Sequence, residues 1–303
     1  MRDVKPRSGP EVLVLGADGM LGHKVFLTLL HQGFDVTGAR RGTAGDALSL
    51  RVPFLAAERV LHGVDVRETS SFVALLRKLR PGAVVNCVGV VKQRPAAGDA
   101  VSSITVNSLL PHLLAETLSE WSGRLIHVST DCVFSGRKGG YSDADEPDAT
   151  DLYGRSKALG EVSGPNCLTL RTSIVGRELK EFRSLLEWFL SNAGGTARGY
   201  TASRWSGVST NWLARTIACV LREKPGLSGL YHVSTAPLSK FDLLRMFNTA
   251  FAAGVTLAPV EGEAMDRSLE SSRFFAETGL ERPSWPGLAE ELAADPTPYS
   301  NWR

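Results

Sequence analysis

The chain has no long hydrophobic run. Nowhere in its 303 residues does an apolar stretch approach the roughly 18–20 residues needed to cross a bilayer, which argues against a membrane partner. The amino-terminal MRDVKPRSGPEV lacks the apolar centre of a secretory signal and reads as a short tail before the first strand. An excess of either charge is also missing. The net charge of +2 gives no reason to expect nucleic acid or an anionic surface as partner. Cysteine is sparse: Cys87, Cys132, Cys167 and Cys219 are scattered, with no CxxC pair and no histidine at metal spacing. Buried free thiols and a reducing cytoplasm are expected, and neither a disulfide framework nor a metal site is. Internal repeats and low-complexity segments are absent. What remains is the composition of an ordinary folded protein, 43% hydrophobic and 22% charged, long enough for one large or two modest cores.

The pattern that is present starts at Glu11. Val12 to Leu15 is a continuous apolar run and reads as a buried strand. Gly16, Asp18, Gly19, Met20, Leu21 and Gly22 follow at once, and Val25, Leu29 and their neighbours then give a helical apolar face. Strand, glycine-rich turn and helix together point to a dinucleotide. Glycines let the main chain approach a pyrophosphate, whose charge sits on the helix amino terminus. The second strand, Phe34 to Ala39, runs into Arg40 and Arg41. An acid there would hold ribose hydroxyls; two guanidiniums suit a 2′-phosphate, so NADPH is expected, with NADH as the lesser cofactor. Asp65 and Val66 close a short strand and are placed against the adenine. Cys87, Val88 and Gly89 end another buried strand that opens at Ala83. A helix is expected around Ile104 to Leu118, with Asn107 inside it.

Strands alternating with helices at this spacing mean an α/β fold, a Rossmann-type doubly wound parallel sheet. Ligands gather at the carboxyl ends of such strands, and Gly16, Arg40, Asp65, Gly89 and Thr130 all lie there. The expected division is a dinucleotide-binding domain over 1–172, rejoined by 211–235. A smaller carboxyl-terminal substrate-binding lobe takes 173–210 and 236–303.

The reactive stretch is Ser129 to Glu161. A strand ends in Ser129 and Thr130, a loop rich in Gly, Asp and Pro follows, and Tyr153 and Lys157 come next. Four apart, they share one face of a helix. Hydride delivered to a carbonyl leaves an alkoxide that needs a proton. Tyr153 can supply it, a Lys157 ammonium would lower the phenol's pKa, and Thr130 can hold the oxygen where charge develops.

The segments GADGMLG, STDCVF, YGRSK followed by GE, and LRTS resemble the extended short-chain dehydrogenase/reductase family, within it the dTDP-4-dehydrorhamnose reductases. The resemblance runs from Glu11 to about Trp285. It implies NAD(P)H-dependent reduction of the C4 keto group of a nucleotide-linked 4-keto-6-deoxyhexose, with catalytic roles on Thr130, Tyr153 and Lys157. It also implies that Asn107 supports Lys157 through water. Two positions depart from the family. Cys132 stands where those reductases have a tyrosine, and Ile174 where they have an aromatic, which enlarges the expected sugar pocket and admits a 2-acetamido sugar. Lys92, Gln93 and Asp131 are placed at the sugar, and Arg171, Arg177, Arg204 and Arg267 are candidates for the nucleotide diphosphate. A monomer or homodimer is expected. Competing readings are an epimerase of the same superfamily, or a regulatory subunit resembling that of methionine adenosyltransferase.

Overall fold

The structure is a computed structural model that describes residue 9 and residues 11–91, 99–262 and 264–302. Six strands alternate with helices through the first part of the chain: β1 Val12–Leu15, β2 Val36–Ala39, β3 Val60–Leu61, β4 Ala83–Asn86, β5 Arg124–Thr130 and β6 Cys167–Thr172. Eight further strands follow. They are β7 Ile174–Val175, β8 Thr196–Tyr200, β9 Ser203–Trp205, β10 Val208–Ser209, β11 Gly229–His232, β12 Leu238–Ser239, β13 Thr256–Val260 and β14 Met265–Asp266.

The main sheet runs β11-β6-β5-β4-β1-β2-β3, and every pairing in it is parallel. The chain therefore winds outward in both directions from β1, and the strand order reverses between β1 and β4. Crevices for ligands open at the carboxyl ends of strands at such a point.

The apolar runs explain the burial. In β1, Val12 and Val14 pack into one core while Leu13 and Leu15 pack into another on the opposite face. A strand covered on both sides must be apolar at every position. Among the described residues, six α-helices lie between these strands: α1 Gly22–His31, α2 Ala47–Arg51, α3 Thr69–Leu79, α4 Ala100–Ser103, α5 Leu110–Ser119 and α6 Leu152–Leu159. Phe72 and Leu76 of α3 and Leu110, Leu114 and Leu118 of α5 cover the Leu13 face. Val25, Phe26 and Leu29 of α1 cover the other, joined by the helix at Thr210–Glu223 through Leu213, Ile217 and Val220. Each fully buried aliphatic side chain contributes about 1.5–3 kcal/mol.

Several elements differ in extent from the sequence reading. The helix expected over Ile104–Leu118 is split by a π-helical turn at Ile104–Leu109, and Asn107 lies inside that turn. The strand expected through Val66 ends at Leu61, so Asp65 and Val66 belong to the loop beyond it. The run from Cys167 to Val175 is broken after Thr172; Ile174–Val175 leaves the sheet to pair with β10. Among the described residues no helix is long and apolar enough to cross a membrane.

Candidate active site

A cleft of about 510 Å³ opens at the switch point between β1 and β4. Of the residues expected at the cofactor, Gly16, Asp18, Gly19, Arg40, Arg41, Asp65, Val66, Cys87, Val88 and Gly89 line it. Met20, Leu21 and Gly22 lie behind the glycine turn. Gly22 is there for close approach: a Cβ would sit 2.0 Å from the Gly16 carbonyl oxygen, so any side chain would force the turn open. The tight turn ahead of α1 and the cleft running from Arg41 to Val90 fit an extended dinucleotide, with its pyrophosphate at the start of α1.

The two arginines have different fates. Arg40 is 3% exposed. Its guanidinium donates to Asp46 at 2.6 and 3.2 Å and to the Thr43 carbonyl at 3.2 Å, and meets Asp18 at 3.4 Å. These partners brace the loop after β2 and occupy the Arg40 donors in this structure, so of the two arginines Arg41 is the freer to meet a 2′-phosphate. Arg41 is exposed on the cleft wall. Asp65 is paired with Arg67, and this pairing holds its carboxyl below the usual range.

The cleft also contains residues that sequence reasoning missed. Lys180 reaches back from beyond β7 to Asp18 at 2.6 Å. Burial alone would raise the Asp18 carboxyl, but Lys180 and Arg40 together hold it below its ordinary value. Glu181 and Phe182, which turn the chain here, have φ of 67° and 49°, left-handed backbone that non-glycine residues adopt only under constraint. No local pattern announces a contact between positions 162 residues apart.

The reactive corner stands at the end of β5. Thr130 caps a single 3₁₀ turn, Asp131–Val133, its Oγ1 accepting from the Cys132 N–H at 3.1 Å. Helix α6 starts beside it, capped by Asp151, whose carboxylate accepts from the Gly154 N–H at 3.0 Å. Gly154 lets the two elements touch: a Cβ would lie 2.3 Å from the Cys132 carbonyl oxygen. Thr130 and Tyr153 are thereby brought into hydrogen-bonding contact.

The expected electrostatics of the pair need correcting. Burial pushes the Tyr153 phenol up, and Cys132 and Asp131 add to this, while the Thr130 hydroxyl opposes it. The Lys157 ammonium rests against other groups. Its Nζ donates to the Val128 carbonyl at 2.8 Å and lies 3.4 Å from His127 Nε2. Burial pulls Lys157 down to about 8, against Glu161 and Cys87, which favour its charge. The phenol therefore keeps its proton, as a proton donor must.

Asn107 is buried, not solvated. Its side-chain oxygen accepts from the Val90 N–H at 2.9 Å, and its amide donates to the Val90 carbonyl at 3.0 Å and to Ser156 Oγ at 3.1 Å. It ties the cleft wall to α6, the helix that carries Lys157. Ser129 turns away from the corner and donates to Glu161 at 2.6 Å.

The substrate candidates divide. Arg267 donates to the Phe134 carbonyl at 2.9 Å and reaches Cys132 Sγ at 3.6 Å. Asp131 is buried beside it. Burial raises the Asp131 carboxyl, while Arg267 and the exposed Lys240, another residue the sequence reading missed, work to lower it. Arg204 is exposed and lies 3.9 Å from Asp266, and Ile174 is half-buried. Arg171 and Arg177 are instead ion-paired within the protein. Arg171 is 4% exposed and bound to Glu161 at 2.6 and 2.7 Å. Arg177 is bound to the buried Glu187 at 2.8 Å. Each carboxylate neutralises the guanidinium it faces, which weighs against a diphosphate role. Lys92 and Gln93 fall outside the described residues. No group of side chains able to hold a metal ion occurs among the described residues.

The parallel sheet, its switch-point cleft and the layers of helices on both faces make this a Rossmann-type α/β protein. The chain belongs to the family described as the RmlD substrate binding domain, which matches residues 10–274. It is 29% identical to the probable low-salt glycan biosynthesis reductase Agl14 of Haloferax volcanii, over 95% of this chain and 98% of that protein. It is also 29% identical to a probable dTDP-4,6-dihydroxy-2-methyloxan-3-one 4-ketoreductase of Streptomyces antibioticus, over 96% and 91%. Among solved structures it superposes on a dTDP-4-dehydrorhamnose reductase from Bacillus anthracis in complex with NADP. The TM-score is 0.76 at 20% identity, covering 94% of this chain and 98% of that one.

Proposed function

We propose that the chain is an NADPH-dependent reductase of the C4 keto group of a nucleotide-linked 4-keto-6-deoxyhexose. The observation that carries this reading is the corner at the end of β5, where Thr130 meets Tyr153 one helical turn from Lys157. The 4-ketoreductase activity named for the Streptomyces relative supports the substrate class, and the reductase activity named for Agl14 supports the reaction type. When bound, the cofactor supplies the hydride. Thr130 holds the carbonyl oxygen as charge grows on it. Tyr153 passes its proton to that oxygen, which completes the alcohol, and the tyrosinate regains a proton from solvent. Lys157, as the ammonium, steadies that transient phenolate and the nicotinamide ribose.

The sugar lies against Cys132, Ile174 and Arg267. Small side chains at 132 and 174 leave room for a 2-acetamido group. The test offers NADPH with a panel of dTDP-, UDP- and GDP-linked 4-keto-6-deoxy sugars and identifies the product by NMR. Oxidation of NADPH with formation of a C4 alcohol is expected, fastest with UDP-4-keto-2-acetamido-2,6-dideoxyglucose. Equal or faster turnover of dTDP-4-dehydrorhamnose would remove the acetamido assignment. No NADPH consumption with any sugar, together with tight binding to a methionine adenosyltransferase, would replace the reductase by the regulatory reading.

A further inference from the structure

Behind Lys157 lies a buried polar chain that the reaction does not use directly. The main-chain N–H of Val88, on the cofactor cleft, donates to Asn86 Oδ1 at 3.1 Å. That bond fixes which way the amide points, so its Nδ2 faces His127 Nδ1 at 3.1 Å. An amide NH₂ can only donate, and Nδ1 must accept. The imidazole is fully buried. Burial, then Lys157 and His112, holds it well below the usual histidine range, so it is neutral and has a single ring proton. With Nδ1 accepting, the proton sits on Nε2, 3.4 Å from Lys157 Nζ.

The consequence follows from donor and acceptor counting. An ammonium has three donors and no acceptor, whereas an amine has a lone pair. A ring N–H facing Nζ therefore disfavours the ammonium where it now rests and favours its turning toward Tyr153 and the cleft. The other groups facing Nζ act in the opposite sense: the Val128 carbonyl accepts from it, and Glu161 and Cys87 favour its charge.

We propose that Asn86 and His127 are positioning residues: they form a relay that carries the seating of the Val88 main chain to Lys157 by keeping the imidazole proton on Nε2. The relay gives the reductase reading above a physical link between cofactor seating and the lysine, reciprocal in both directions. It rests on that reading for its role, but its geometry can be tested without turnover.

The first measurement is ¹⁵N NMR of histidine-labelled protein without cofactor, with His127 identified by its loss in His127→Leu. The Nε2–H tautomer is expected; an Nδ1–H tautomer or an imidazolium overturns the relay. The second is the pH dependence of NADPH binding, followed by fluorescence. Asn86→Asp keeps the acceptor for Val88 but draws the ring proton to Nδ1, leaving a lone pair for the ammonium. The alkaline limit of binding should then move up by about one pH unit or more. His127→Leu removes the opposing N–H and should move it up by less, and in that background the effect of Asn86→Asp should shrink to that of its charge alone. An unmoved limit in folded variants, or an undiminished Asn86→Asp effect without His127, overturns the proposal. Failure of the wild-type chain to bind NADPH would sink the reductase reading instead, and the tautomer measurement would still decide the relay.

Discussion

The two sides of the site are made of different material. The cofactor cleft is floored by main chain, Gly16, Gly19, Val88 and Gly89 at or just past the ends of neighbouring strands of one sheet, with side chains such as Arg41 and Asp65 on its wall. On the proposed function the sugar side is side chains. Cys132 sits on a single turn after β5, while Ile174 on β7, Arg204 on β9 and Arg267 just after β14 lie on strands outside the main sheet. A wall made of backbone tolerates little change, because altering it alters the fold. A wall of side chains borne on short strands can be rebuilt residue by residue. Under the proposed function, substrate range would be adjusted on the sugar side while the hydride chemistry stays fixed, and Cys132 and Ile174 are where the resemblance to the dTDP-4-dehydrorhamnose reductases breaks.

The reacting groups stand where the two sides meet, and the sharpest break comes there. Tyr153→Phe should lower kcat by about 10²–10⁴-fold, the usual worth of a positioned proton donor, with NADPH affinity retained. Near-normal turnover in this variant would remove Tyr153 from the chemistry. The next effect is on stability and tests which arginines belong to the sugar side at all. Arg171→Met leaves Glu161 buried without its cation and should cost about 3–5 kcal/mol in urea unfolding. The sugar KM should stay unchanged in the folded fraction; a raised KM with unchanged stability would put Arg171 back at the diphosphate.

Lys157 allows a test by pH. Folding takes its pKa from 10.5 to about 8, so between those values the unfolded chain binds more protons and this lysine's contribution to stability rises with pH. Below pH 8 both states are charged and the fold bears the desolvation cost in full. Lys157→Met, inactive but free of that cost, should be the more stable protein at pH 7 by about 2–3 kcal/mol. The gap should narrow from pH 8 toward 10.5. A gap that does not vary with pH would mean that burial is not what acts on Lys157. A smaller effect is expected for Arg267→Ala: a rise of about tenfold in sugar KM, for loss of one charge-assisted contact, with NADPH binding untouched.

The same contrast explains what the sequence could and could not reveal. The apolar run of β1, the glycine turn and the helical spacing of Tyr153 and Lys157 are local patterns, and each folds as its own stretch predicts. The partners of a buried charge are not local. Arg171 and Glu161 look like two ordinary surface residues until α6 and β6 are packed, and Asp18 meets Lys180 across most of the chain. The burial of Asn107 is not legible in the sequence either, because the π-helical turn that carries it has no signature of its own. His127 did leave a trace, a lone polar ring inside the apolar run Leu125 to Val128; only the structure shows that its neighbours are Asn86 and Lys157.

Arg40 and Arg41 bring the comparison down to adjacent residues, one serving the fold and one facing the ligand. Arg40 is enclosed by Asp18, Asp46 and the Thr43 carbonyl, and its hydrogen bond holds the Asp46 carboxyl well below its usual range. Arg40→Ala should therefore lower Tm and leave the ratio of kcat/KM for NADPH over NADH nearly as it was. Arg41→Ala should do the reverse. One exposed charge contact is worth about 1 kcal/mol or less, so the NADPH preference should fall by up to about fivefold with no change in Tm. If instead Arg40→Ala abolishes the preference in a protein that still melts normally, the enclosed arginine turns outward when the cofactor binds, and the line drawn between the two residues is wrong.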